Sequence, residues 1–336
     1  MPQIKRVWIV NAGMFQEKEL EMLRQSAPGA EFDLAPFTMN MPDEKESITN
    51  GIALDTYDVI IGNPPADCLS RCQRLQLLQL VSAGTGGYPR AVQALPRSIA
   101  LTNATGAYGP AISEHMLGML LMLMKKLHLY RDHMRGGLWK DEGPVLSLNG
   151  ARVLVIGMGD IGSCFARLCS ACGAAVTGIR RTPGPCPDYA QAVYSTEELD
   201  VLLPQADVVA MSVPETPATF HLLSRERLAL LQKNAIVLNV GRGNAIDTEA
   251  LCDALLAGQL GGAGLDVTDP EPLPADHRLW QIPQALITPH VSGGNHLYGT
   301  VERIAAIAAE NLQRLARGEQ LINPVDLQTG YRRSTR

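Results

Sequence analysis

The sequence predicts an α/β protein built from two doubly wound parallel-sheet domains, and three observations carry that expectation. From residue 152 onward, strand-length apolar runs alternate with helix-length stretches. The first hundred residues repeat the alternation more loosely. The chain has 336 residues. At roughly 100–200 residues per domain that is about two domains, each able to bury a core without disulfide or metal staples.

Taken in order, the run at 7–10 reads as a first buried strand and is too short for the core of a signal peptide. A helix is expected over 17–25, a strand over 59–61, a helix over 69–78 and a strand near 80–81. Residues 112–139 form one long helical candidate whose Met and Leu residues crowd nearly every position, so it should be buried on several sides, in a core or at a subunit interface. Its oiliest stretch, 116–124, falls far short of the ~20 residues that span a bilayer. The second half offers strands at 153–156, 175–179, 208–213, 236–240, 264–267 and 285–288. Helix-length segments between them imply parallel crossovers, with helices on both faces of the sheet. A last helix over 300–315 should end near Gly318, and the polar tail 328–336 should fray.

Composition narrows the function. Acidic side chains outnumber basic ones 34 to 29, a formal charge of −5 with no dense Lys/Arg stretch, so neither nucleic acid nor a membrane is an expected partner. Seven cysteines, an odd number, fit a reducing cytoplasm in which thiols stay free. Cys164, Cys169 and Cys172 lack a second C-x-x-C pair and fall within an expected helix, so they read as packing thiols. No metal site is expected.

The strand at 153–156 passes directly into Gly157, Met158, Gly159, Asp160, Ile161 and Gly162, with a helix expected from near Ser163. A lone G-x-G-x-x-G is a weak signal, and a structural glycine turn is its alternative. Between a strand and a helix it reads as a dinucleotide-binding turn. The first glycine turns tightly, the second admits a pyrophosphate, and the third lets helix pack on strand. The helix N-terminus adds free N–H groups and partial positive charge. The next strand ends at Arg180, Arg181 and Thr182, where an NAD site usually has an acid for the ribose hydroxyls. A carboxylate there would repel a 2′-phosphate, whereas two arginines can pair with it, so NADP(H) is favoured over NAD(H). In the alternative, both arginines are solvated and NAD binds without an acidic partner.

Three further segments follow expected strands and carry Arg242, then Asp266 and Glu271, then His290. In an open parallel sheet the carboxyl ends of the strands line the ligand crevice, so Arg242, Glu271 and His290 should converge beside the nicotinamide. Singly, each is as easily a surface arginine or a structural histidine. In this order and spacing they resemble the D-isomer-specific 2-hydroxyacid dehydrogenases. The likeness extends to the Val-Ser-Ala-Gly-Thr-Gly loop at 81–86, to Asn-Ala-Thr-Gly-Ala-Tyr at 103–108 and to Ser-Glu-His at 113–115.

That resemblance implies a Rossmann nucleotide-binding domain, residues 103–294, inserted into a flavodoxin-like substrate domain made of 1–102 and 295–336, with hinges near 102 and 294. It implies a homodimer with the long helix at the interface. The implied reaction is D-stereospecific hydride transfer between NADP(H), or NAD(H), and a small 2-oxo or 2-hydroxy acid of the glyoxylate and hydroxypyruvate kind. His290 would donate the proton needed by the nascent alkoxide, with Glu271 orienting it and keeping it protonated. Arg242 would grip the substrate carboxylate with its planar fork, and backbone N–H groups of Gly84, Thr85 and Gly86 would complete that cradle. Asp266 would bind the nicotinamide carboxamide, and Val213, Pro214, Val240 and Gly241 are carried over as cofactor contacts. His115 reads as structural, while His128, His133, His221, His277 and His296 have no evident partner. Tyr88, Tyr108 and Trp139 are candidates for the substrate pocket, with core packing as the alternative. The chain stops soon after its last helix, so no regulatory extension is expected. Two other functions stay open. One is a nucleotide-sensing corepressor, which the complete set of Arg242, Glu271 and His290 argues against. The other is a formate or phosphite dehydrogenase, disfavoured because Glu271 stands where formate enzymes carry glutamine.

Overall fold

Every named strand of the computed structural model pairs in parallel, in two separate sheets of five and seven strands. The structure describes residues 3–35, 49, 51–181, 184–294, 297–330 and 332. The chain divides into two compact units, residues 1–108 with 295–336, and residues 109–294.

The first unit begins with β1 (Arg6–Ile9), α1 (Glu17–Ser26), β2 (Glu31–Leu34), β3 (Val59–Ile61), β4 (Leu77–Gln79), α2 (Tyr88–Gln93) and β5 (Ala100–Thr102). Its sheet runs β2-β1-β3-β4-β5, the flavodoxin-like order. Strands β3 and β4 are buried along their whole length, as central strands of a parallel sheet covered on both faces must be. The buried polar side chain in β4 is satisfied: Gln79 Oε1 accepts from Thr102 Oγ1 and Asn311 Nδ2, both at 2.7 Å. The helix expected over 69–78 does not form. A 3₁₀ turn occupies Ala66–Arg71, and the strand lies at 77–79 instead of 80–81. Leu75, Leu77, Leu78, Leu80 and Val81 are all buried, and periodicity alone does not separate a short all-apolar strand from a buried helix. Residues 103–108 belong to this unit: Asn103 Nδ2 donates to Ala83 O at 2.7 Å, and Tyr108 OH to Val81 O at 2.5 Å.

The second unit holds α3 (Gly109–Met124), α4 (Leu127–Arg135), β6 (Arg152–Ile156), α5 (Asp160–Ala171), β7 (Ala175–Ile179), β8 (Ala192–Tyr194), α6 (Leu199–Leu202), β9 (Val208–Met211), α7 (Arg225–Leu230), β10 (Ile236–Asn239), α8 (Thr248–Leu256), β11 (Gly262–Leu265) and β12 (Ala285–Ile287). Strand order is β12-β11-β10-β9-β6-β7-β8. The order reverses between β6 and β9, which opens the ligand crevice of a doubly wound sheet at their carboxyl ends. The chain then returns to the first unit through α9 (Tyr298–Arg317), closed by Gly318 at φ +68°, a left-handed cap suited to glycine.

The single helix expected over 112–139 is instead two. Lys126 adopts φ +55°, and the lysine pair at the break finds distant acceptors: Lys125 Nζ donates to Leu146 O at 2.7 Å and Lys126 Nζ to Glu142 O. Helix α3 is buried along one side by residues from Gly109 to Met124, but α4 buries none of its residues within the chain. Among the described residues, no helix is long and apolar enough to cross a membrane.

Candidate active site

The glycine turn is shaped by backbone contacts. Gly157 adopts φ +100°, and the N–H groups of Gly157 and Met158 both donate to Ile179 O. A Cβ on Gly162 would lie 2.0 Å from Gly157 O, so α5 can begin against the turn only with glycine there. The helix starts at Asp160, three residues before the expected Ser163. Beside Gly159 there is open space: a Cβ there would meet nothing within 4 Å. First-turn N–H groups of a helix have no acceptor within it, and this gap in front of them is a cradle that fits a pyrophosphate. The Asp160 carboxylate accepts from Gly109 N at 3.0 Å. Met158 folds over Gly178, and Ile161 is half-buried.

At the end of β7, Arg180 NH2 donates to Pro185 O at 2.5 Å. Its guanidinium lies 3.0 Å from where a Cβ on Gly184 would be, so it rests on the loop after the strand. Arg181 is exposed, and Thr182 lies outside the described residues.

Arg242 sits between two glycines that each touch backbone. A Cβ on Gly241 would lie 2.4 Å from Val213 O, and one on Gly243 would lie 1.9 Å from Thr268 O. Buried Asn239 shapes the bend, its Nδ2 donating to Arg242 O at 2.8 Å and its Oδ1 accepting from Gly241 N at 3.0 Å. The Arg242 loop is thereby pressed on one side against Val213, next to exposed Pro214, and on the other against the loop that carries Glu271. Val240 is buried, its N–H donating to Met211 O. Arg242 is half-buried and donates to Gly241 O at 2.7 Å.

Glu271 and His290 meet directly: His290 Nδ1 donates to Glu271 Oε1 at 2.6 Å, both side chains a little under half exposed. With Nδ1 engaged, Nε2 is the nitrogen left to exchange a proton. His290 adopts φ +52°, a region that side chains with a Cβ rarely enter. Its backbone is pinned there, with His290 N donating to Asp266 O at 2.9 Å and to Thr288 O at 3.0 Å. The buried Asp266 carboxylate clamps the same turn. Its Oδ1 accepts from Thr288 Oγ1 at 2.6 Å and Val291 N at 2.9 Å, and its Oδ2 from Ser292 N at 3.0 Å and from Ser292 Oγ. A carboxylate has about four acceptor sites, and all four are taken. This clamp was not legible in the sequence, where Asp266 stands only as a strand-end acid.

Most of the other histidines have partners that the sequence did not reveal. His133 Nε2 donates to Glu142 Oε1 at 2.6 Å; Lys140 and His133 together hold that carboxyl down at about 2. His277 Nε2 lies 3.2 Å from Glu249 and its Nδ1 accepts from Leu279 N. His128 Nδ1 donates to Met122 O at 3.2 Å, and His221 stacks on Phe220 at 4.1 Å. His296 lies outside the described residues. His115 Nε2 is 3.0 Å from Thr288 Oγ1. Tyr108 is buried and Tyr88 half-buried, their hydroxyls donating to Val81 O and Pro64 O, whereas Trp139 is fully exposed. Cys164 and Cys169 lie on α5 and Cys172 caps it. Burial pushes the Cys169 thiol up to about 12, which suits a packing thiol.

In the first unit, none of the backbone N–H groups of residues 82–87 donates a hydrogen bond among the described residues. Side chains hold the loop instead. Asn63 Nδ2 donates to Ser82 Oγ, Ser82 Oγ to Gly84 O, and Thr85 Oγ1 to Gly330 O. Gly86 supplies a positive φ of +47°. A run of unspent N–H groups on a turn suits an anion.

Residues 117–292 match the family model of the D-isomer specific 2-hydroxyacid dehydrogenase, NAD binding domain. The chain is 30% identical over 274 residues to glyoxylate/hydroxypyruvate reductase HPR3 of Arabidopsis thaliana, covering 80% of this chain and 82% of that protein. It is 32% identical over 239 residues to a glyoxylate reductase of Thermofilum pendens, covering 68% of each. Among solved structures, the D-isomer specific 2-hydroxyacid dehydrogenase of Xanthobacter autotrophicus Py2, in complex with NADPH and MES, superposes with a TM-score of 0.78 at 25% identity, covering 98% of this chain and all of that one.

Proposed function

The chain belongs to the D-isomer specific 2-hydroxyacid dehydrogenase family and is an NAD(P)-dependent oxidoreductase, and from that premise we propose that it reduces a small 2-oxo acid, glyoxylate or hydroxypyruvate, to the D-2-hydroxy acid with NADPH. Residues 109–294 serve as the nucleotide-binding domain, and the remainder as the substrate domain. The observation that carries the reading is the 2.6 Å contact of His290 Nδ1 with Glu271 on a turn clamped by Asp266. A bound reduced nicotinamide supplies the hydride. Nε2 of the protonated His290 ring gives the proton to the carbonyl oxygen, and the Glu271 carboxylate, accepting from Nδ1–H, orients the ring for that transfer. Arg242 pairs with the substrate carboxylate; in the substrate domain, the backbone N–H groups of Gly84, Thr85 and Gly86 are the donors proposed for an anion. The gap at Gly159 receives the pyrophosphate, while Val213, Pro214, Val240 and Gly241 line the nucleotide. Asp266 reaches a carboxamide only by giving up one of its four donors, and its service to the cofactor is chiefly to hold the turn.

Arg180 and Arg181 take the 2′-phosphate. The protein is expected to oxidise NADPH with glyoxylate at a higher kcat/KM than NADH. Replacing both arginines by alanine should cost the preference roughly 10- to 100-fold, the worth of charge-assisted hydrogen bonds. A clear NADH preference in the parent protein overturns the NADP assignment. NADPH binding without turnover of any 2-oxo acid in a panel favours the nucleotide-sensing alternative.

The protein is also proposed to be a homodimer through α4 and the segment after it. Met134 is 68% exposed, and Leu127, Leu138 and Trp139 in the same segment are exposed too, large apolar side chains of the kind an interface covers. Sedimentation at micromolar concentration should give twice the chain mass for the parent and the single chain mass for Met134→Asp with Trp139→Lys. A monomeric parent removes the proposal.

A further inference from the structure

Helix α3 packs along β11 with matched steps. A Cβ on Gly262 would lie 3.0 Å from Leu123, and one on Gly264 would lie 3.2 Å from Met119. Four helical residues rise about 6 Å, close to the roughly 6.6 Å of two strand residues. One turn before Met119 is His115, and two residues after Gly264 is Asp266. The register therefore brings His115 to the end of β11, and the contacts agree: its Nε2 lies 3.0 Å from Thr288 Oγ1 and 3.9 Å from Asp266 Oδ1. The two glycines permit the close approach; larger residues there would lift the helix and the imidazole with it.

Proton counting fixes the direction of the contact. Thr288 Oγ1 has one hydrogen and lies 2.6 Å from Asp266 Oδ1, a carboxylate oxygen that also receives Val291 N. The hydroxyl donates to the carboxylate, so toward His115 it can only accept, and Nε2 of His115 must carry the hydrogen. His115 thus holds the Thr288 rotor toward Asp266, which pins the turn that forces His290 to φ +52°.

We propose that His115 is a positioning residue for the proton donor, acting from α3 through Thr288 and Asp266 on the turn that presents His290. The inference rests on the reading of His290 as that donor, and the experiment separates the two. With glyoxylate and NADPH, His115→Leu should lower kcat about 3- to 10-fold, the worth of one hydrogen bond, with KM for NADPH within about twofold. His115→Gln keeps an N–H donor and should restore kcat to within about twofold of the parent. Thr288→Val should match His115→Leu, and the double variant should lose no more than the worse single one, because residues in one chain of hydrogen bonds are not additive. In the cofactor-free protein, imidazole ¹⁵N spectra should show His115 as the Nε2–H tautomer. Should His115→Leu not fold, Thr288→Val and the tautomer carry the test. Parental kcat in His115→Leu beside an inactive His290→Asn, a glutamine no better than leucine, or an Nδ1–H tautomer overturns the inference alone. Parental activity in His290→Asn overturns the donor reading and this inference with it.

Discussion

His290→Asn is expected to lower kcat for glyoxylate reduction by roughly 10²- to 10⁴-fold, the usual worth of a positioned proton donor. Nucleotide binding should stay within about twofold. Asparagine is close in shape and can keep an N–H toward Glu271 Oε1, which His290 Nδ1 now contacts at 2.6 Å. What it removes is Nε2, the nitrogen able to release a proton. If His290 only braced the turn, losing one hydrogen bond would cost about tenfold or less, so the size of the effect separates donor from brace. Glu271→Gln gives the graded control. It keeps an acceptor for Nδ1–H but loses the negative charge beside the imidazole, so its loss should be smaller than that of His290→Asn. Rapid-mixing measurement of kcat at saturating NADPH, with nucleotide affinity read from fluorescence, checks both. Parental turnover in His290→Asn removes that residue from the mechanism.

How far the sequence could be read depends on where the determining contact lies. Strand β7 matches its expected limits, 175–179, because its apolar run is closed by Arg180 on one side and by Gly173 on the other. The Glu271 and His290 pair was legible from a general rule, that strand ends of a parallel sheet share one crevice. The break between α3 and α4 was not, because the residues that draw the two lysines away lie beyond position 140 and leave no mark in the Met and Leu pattern. Nor was β4, which lies within a stretch holding five buried apolar residues, Leu75, Leu77, Leu78, Leu80 and Val81, that suits a short strand or a buried helix equally. The Asp266 clamp depends on a carboxylate meeting two backbone N–H groups of a loop more than twenty residues on, and no spacing announces that. The His115 contact did leave a signal: positions 115, 119 and 123 share a helix face, and 262, 264 and 266 share a strand face, with glycine at the first two. It becomes interpretable only once α3 is known to lie on β11.

Gly243→Ala is expected to be the most damaging single-methyl change near the site. The clash owes nothing to backbone conformation, since Gly243 does not adopt a positive φ. A Cβ would stand 1.9 Å from Thr268 O, 2.0 Å from Thr268 C and 2.6 Å from Asp269 N. All three are backbone atoms, so no side chain can swing aside, and two loops must part by an ångström or more. Overpacking of this kind costs about 1–3 kcal/mol, which for a unit of this size lowers Tm by roughly 3–10 °C. The larger consequence is functional. One loop carries Arg242 and the other leads to Glu271, so parting them should disturb the carboxylate grip proposed for Arg242 and the orientation of His290 together. Misplacement by about 1 Å can cost some 10²-fold in rate, so kcat should fall by about that factor in protein that is still folded. Gly159→Ala is the counterpart. With nothing within 4 Å of its Cβ, it should leave Tm unchanged and weaken nucleotide binding by filling the pyrophosphate space. Calorimetric Tm and kcat on both variants test the argument, and a Gly243→Ala protein with parental values of each would show that the two loops are not held by this contact.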